Sequence, residues 1–176
     1  PLIDFGHQHF GENKVQEASA KWKLLKNERK DLKLHMVGKL QSNKAKSAAE
    51  LFDYIHSLDN QKLADIFSNF ERENDKKLKY FIQVNIGNEI QKSGIDKNDL
   101  SNLVDCCKTL KLNVIGLMCI PPFNIDPNNY FKEMSTLNKS FNFHDLSMGM
   151  SSDYLQAIEY SSTFLRIGSS IFGERS

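Results

Sequence analysis

Cysteine is scarce in this chain and badly placed for covalent bracing. Only three occur, and two of them, Cys106 and Cys107, are adjacent. An odd count with neighbours that are rarely bridged argues against a disulfide framework and for a reducing, cytoplasmic setting. There is no Cys-x-x-Cys pair, and the five histidines are scattered singly, so the spacing gives no indication of zinc. No uninterrupted apolar run approaches the roughly 18 residues of a membrane span. Charge of one sign is lacking too: 23 basic against 22 acidic side chains leave a formal +1, which provides no bulk electrostatic footprint for nucleic acid. The densest basic run, Lys21 to Lys33, reads as a solvated helix face. Also missing is the Gly-x-Gly-x-x-Gly that opens a dinucleotide-binding sheet. The first residues, Pro1-Leu2-Ile3-Asp4-Phe5-Gly6, are neither a methionine start nor a charged-then-apolar leader. They read as the last turn of a helix stopped by Gly6, and the expectation is a native chain that begins further upstream.

What is present is alternation. The 176 residues, 40% of them hydrophobic, suffice for one domain with a sizeable core over residues 1–176. Strand-like stretches are expected at Gln8 to Phe10, Leu32 to Val37, Tyr54 to Ser57, Lys79 to Ile86, Leu112 to Met118, His144 to Ser147 and Thr163 to Ile167. Between them, apolar stripes at helical spacing (Val15, Ala18, Trp22, Leu25; Leu63, Ile66, Phe67, Phe70) mark helices packed on strands. Asp59 is the expected cap of the Leu63 helix, and Ser151 or Ser152 with Asp153 that of the helix holding Tyr154 and Leu155. Seven strands alternating with helices, after what reads as a helix end, predict an α/β protein: a (β/α)8 TIM-type barrel with its first βα unit absent. Such a barrel would be open between its last strand and Gln8 to Phe10. A doubly wound open sheet is the alternative.

In a barrel of this kind ligands sit at the C-terminal ends of the strands, and phosphate is often held by the loops after the last two. Those loops are Ser147-Met148-Gly149-Met150-Ser151 and Gly168-Ser169-Ser170. Gly149 and Gly168 can bring backbone N–H groups close to phosphate oxygens, while the serines offer hydroxyls and the following helices their N-terminal dipoles. Asn13 stands at another strand end, either as a helix cap or as a ligand contact. His35, in an apolar strand, is either a satisfied core residue or an acid or base. Arg166, between Leu165 and Ile167, must find a partner. Lys39, Lys44 and Lys92 read as solvated, and nothing around Cys119 argues for a lowered thiol pKa.

The ordered motifs Phe10-Gly11-Glu12-Asn13, His35-Met36-Val37-Gly38-Lys39-Leu40-Gln41-Ser42-Asn43-Lys44, Ser57-Leu58-Asp59, Gln83-Val84-Asn85-Ile86, Lys92-Ser93-Gly94, Gly116-Leu117-Met118, Leu146 to Ser151 and Arg166 to Ser169 through Phe172-Gly173-Glu174-Arg175 resemble, over essentially the whole chain, the pyridoxal-phosphate-binding homeostasis proteins. These are single barrels related to the N-terminal domain of alanine racemase. The resemblance implies pyridoxal 5′-phosphate in the barrel mouth. Its phosphate would lie on Ser147 or Ser151 with Gly168 and Ser169, Arg166 would face the pyridine nitrogen, and Asn13 and His35 would lie around the ring. Met148 and Met150 would shape the wall near the phosphate. It also implies a Schiff-base lysine on the first barrel strand, and no lysine of this chain corresponds to it; that residue is expected upstream of Pro1.

Three functions follow: a cofactor buffer and delivery protein with little or no turnover, an amino-acid racemase using the same cofactor, or a phosphate-ligand barrel using no aldehyde. Racemisation needs a base on each face of a planar intermediate, and the related racemase takes one from a partner subunit and carries a further β domain, for which this chain has no room. The first reading is therefore preferred, with pyridoxal-phosphate-dependent apo-enzymes as possible recipients, a monomeric state, and no nucleic-acid or membrane partner.

Overall fold

A computed structural model describes residues 2–173; Pro1 and the Glu174 and Arg175 of the last motif lie outside the described residues. Strand and helix alternate throughout: β1 (His9–Glu12), α1 (Val15–Glu28), β2 (Lys33–Met36), α2 (Ala45–Leu51), β3 (Tyr54–Leu58), α3 (Gln61–Asn74), β4 (Lys79–Gln83), α4 (Leu100–Thr109), β5 (Val114–Met118), α5 (Asn128–Ser140), β6 (Asp145–Met150), α6 (Tyr154–Glu159), β7 (Phe164–Arg166) and α7 (Ser169–Phe172). The seven strands are parallel and hydrogen-bonded in chain order from β1 to β7. An open doubly wound sheet reverses its strand order at a switch point. This one never does, and it curls into a nearly closed barrel, as Phe164 on β7 shows by reaching rings on three strands from the first half: His35 at 5.8 Å, Tyr54 at 5.8 Å and Phe81 at 5.1 Å.

Two apolar layers follow from strand alternation. Outward residues such as Leu34, Ile55, Ile82, Leu146 and Met148 pack against helix residues including Ala18, Trp22, Leu63, Phe67 and Phe131. The inner layer is small, built on Tyr54, Phe81 and Met118 with Ile115, Ile120 and Phe164 around them. All five residues of β3 are buried, as expected of a strand covered on both faces.

Several boundaries differ from the sequence expectation. β4 ends at Gln83 because the chain then leaves the barrel: Val84 pairs with Ile95, and Asn85 N donates to Ile95 O at 2.9 Å. β6 runs on to Met150, which takes Gly149 into the strand. The cap of α3 is Asn60, whose Oδ1 accepts from Leu63 N at 3.0 Å, while Asp59 instead accepts from Gly94 N at 3.3 Å. Asn13 caps nothing, since α1 starts after Lys14. At Gly6, with φ +86°, the bonds His7 N to Leu2 O and Gly6 N to Ile3 O form the pattern that closes a helical turn at a left-handed residue.

Candidate functional site

A cavity of about 540 Å³ runs from the C-terminal strand ends down between β1 and β7, the two ends of the sheet among the described residues. Its volume falls within the usual range for small-ligand sites. Asn13, His35, Arg166 and Gly168 line it, as do Ile120 and Met150, and it opens beside Trp22 of α1. Asn13 is positioned by close backbone contact: a Cβ at Gly38 would lie 2.2 Å from Asn13 O, so only glycine lets the end of β2 approach so closely.

Arg166 and Ser147 form the floor. The guanidinium, half-buried on β7, donates from Nη1 to Ser147 Oγ at 2.8 Å and from Nη2 to Cys119 O at 2.8 Å, two of its five donors. Burial lowers its pKa from the ordinary arginine value, yet arginine stays charged at any physiological pH. Ser147 is fully buried and does not line the cavity; it meets the site through Arg166 and His56, which do. Burial pushes the Cys119 thiol up to about 12, which leaves it no nucleophilic role.

The loops after β6 and β7 converge as their sequences suggested. Gly168 N and Ser170 N each donate to Ser151 Oγ at 3.3 Å, so two backbone donors aim at one oxygen. A Cβ at Gly168 would meet nothing within 4 Å; the space before it is open. Ser169 is exposed at the start of α7. Gly149 has a different role from the one its sequence suggested. Its φ is +93° and a Cβ would lie 2.6 Å from Ala157 Cβ, so it admits α6 against the strand. Met148 faces the helix-side core and is completely buried there, away from the cavity.

Sequence reasoning missed two residues altogether. His9 and His56 stand on either side of His35, and His56 Nδ1 lies 2.9 Å from Ser147 Oγ. His35 stacks on Tyr54 at 4.1 Å and 14°, and His56 on Phe81 at 4.3 Å and 25°. Burial first, then the neighbouring His9, lowers the pKa of His35 to about 3. His56 is held well below its ordinary value by burial, then His35 and Arg166. His9 is lowered by partial burial and then by His7. A signal for His56 existed: it is two residues beyond Tyr54, hence on the same inner face. Among the described residues no group of three His, Cys, Asp or Glu is arranged to hold a metal, and no helix is long and apolar enough to cross a membrane.

Residues 2–176 match the family described as alanine racemase, N-terminal domain. The pyridoxal phosphate homeostasis protein of Aquifex aeolicus is 38% identical over 180 residues, covering 97% of this chain and 78% of its own; that of Vibrio cholerae is 39% identical, covering 97% and 77%. The chain belongs to the pyridoxal phosphate homeostasis family of alanine racemase N-terminal domains. Among solved structures, PipY of Synechococcus elongatus, with PLP bound, superposes with a TM-score of 0.89 at 35% identity over 97% of this chain and 84% of its own. Alanine racemase of Clostridium difficile superposes at 0.75 with only 10% identity and shares the barrel alone. The family's barrel thus matches the architecture built up above from seven ordered parallel strands.

Proposed function

We propose that this chain binds pyridoxal 5′-phosphate in the cavity between β7 and β1 and serves in its homeostasis, buffering and delivering the cofactor with little or no turnover. The observation that carries the reading is the convergence of the Gly168 and Ser170 amides on one oxygen, that of Ser151, beside a glycine whose Cβ position faces open space. A phosphate oxygen is the natural replacement for that hydroxyl. Arg166 supplies the partner for the ring nitrogen, with Ser147 behind it, and His35 and Asn13 border the ring. Ser169 belongs to the phosphate loop; Met148, in the outer core, takes no part. When bound, the cofactor supplies an aldehyde open to attack by amines and an electron-withdrawing ring.

Low turnover fits the histidines. A general base needs an available lone pair near its proton, and His35 and His56 each have both ring nitrogens engaged within the barrel. Lys21, the one lysine on the cavity wall among the described residues, is paired with Glu12 at 2.9 Å and lies over Trp22. The covalent lysine is proposed to lie ahead of Pro1, with pyridoxal-phosphate-dependent apo-enzymes as recipients, a monomeric state and a reducing cytoplasm as the setting.

Equilibrium dialysis with pyridoxal phosphate tests the assignment. The chain should bind, and Arg166→Ala should weaken binding about 10- to 100-fold, the loss of one hydrogen bond from a charged group. Unchanged affinity in that variant would reject the site.

A further inference from the structure

Three imidazoles from neighbouring strands meet inside the barrel in one unbroken row. His9 Nδ1 lies 2.9 Å from His35 Nε2, His35 Nδ1 lies 2.9 Å from His56 Nε2, and His56 Nδ1 lies 2.9 Å from Ser147 Oγ. Arg166 Nη1 closes the row on Ser147 Oγ at 2.8 Å. Each neutral imidazole carries one hydrogen, so each ring must donate on one side and accept on the other. The row therefore has only two self-consistent orders.

Arginine chooses between them. It can only donate, so Ser147 Oγ accepts from Arg166 and has its own hydrogen left to place. Ser147 is fully buried, and among the described residues its hydroxyl has no partner besides Arg166 and His56. If His56 Nδ1 donated to it, the serine hydrogen would be buried without an acceptor, at a cost of about 1–3 kcal/mol. The favoured order is Ser147 Oγ–H to His56 Nδ1, His56 Nε2–H to His35 Nδ1, and His35 Nε2–H to His9 Nδ1.

We infer that His56, His35 and His9 are a positioning relay for Arg166: all three carry hydrogen on Nε2, so His56 Nδ1 takes the Ser147 hydroxyl hydrogen and a serine lone pair is held toward the guanidinium. The outer end of the row, His9, is exposed, whereas His35 and His56 are buried. The charges acting on the row are His7, Lys33 of β2, Asp53 and Lys79 of β4 around His9, Asp53 and Lys26 of α1 near His35, and Arg166 beside His56.

The affinity part of the test rests on the proposed pyridoxal phosphate site; the spectroscopic part does not. With 15N-labelled histidine, the free chain at about pH 7.5 should show His35 and His56 both as Nε2–H tautomers. Either ring found as the Nδ1–H tautomer at that pH would overturn the relay. His56→Asn keeps an acceptor near the Nδ1 position and should bind pyridoxal phosphate within about threefold of the parent, while His56→Leu should lose about tenfold, one hydrogen bond's worth. Equal affinities in the two variants would contradict positioning through Ser147. If the parent itself fails to bind, the cofactor site falls and the tautomer spectra still decide the relay.

Discussion

Acid should unfold this barrel through His35 before it titrates the bulk of the carboxylates. His35 is 5% exposed and its pKa is lowered to about 3 by burial and then by His9, against about 6.5 in an unfolded chain. A histidine kept neutral by folding stabilises fully above its unfolded pKa, and that contribution is lost as pH falls below it towards the folded value. At about pH 5 the unfolded state has taken up almost one proton at this site and the folded state almost none, so stability relative to pH 7.5 drops by ~2 kcal/mol from His35 alone. His56, lowered in the same direction by burial, adds to the fall. Urea unfolding across this range, on the parent and on His35→Gln, measures it: the variant should be less stable at neutral pH but lose ~2 kcal/mol less on acidification. Parallel pH dependence in the two proteins would show that His35 is not held neutral by the fold, and the argument from burial would fail.

Two glycines should respond oppositely to alanine. Gly149→Ala forces a Cβ 2.6 Å from Ala157 Cβ at a φ of +93° and should cost about 1–3 kcal/mol in a thermal or urea melt, whereas Gly168→Ala, with nothing within 4 Å of its new Cβ, should leave the melt nearly unchanged. At the start of α3, Asn60→Ala should cost about 1 kcal/mol of stability for the lost cap; an equal loss from Asp59→Ala, which accepts from Gly94 N and Asn60 Nδ2, would contradict the assignment.

The barrel was legible in the sequence because its signal is periodic: seven strand-like runs alternate with helical stripes, and each appears within one to three residues of its expected place. Ends were less legible. Whether Asp59 or Asn60 caps α3 depends on where Gly94 comes to rest, a contact across 35 positions. The site divides the same way. Arg166 announced itself as a charge in an apolar strand, and Gly168 as a glycine beside serines that lets backbone N–H groups approach a phosphate. Gly149 carries the same local signature, yet the neighbour that demands it is Ala157 of a following helix. His35 stood out in its apolar strand and His56 follows Tyr54 by two, but the row they form with His9 was not legible, since the three are far apart in the chain and meet only because β1, β2 and β3 lie side by side with these residues turned inward. Met148 failed for the converse reason: beside Ser147 in sequence, it points to the opposite face of β6.

The central claim, that pyridoxal phosphate occupies the cavity at the ends of β6 and β7, is tested most directly by a crystal structure of the chain with the cofactor. The account predicts phosphate oxygens against the amides of Gly168 and Ser170, the Ser151 hydroxyl turned to the phosphate, and the ring beside Arg166. Cofactor bound elsewhere, with Ser151 still bridging those two amides, would contradict it.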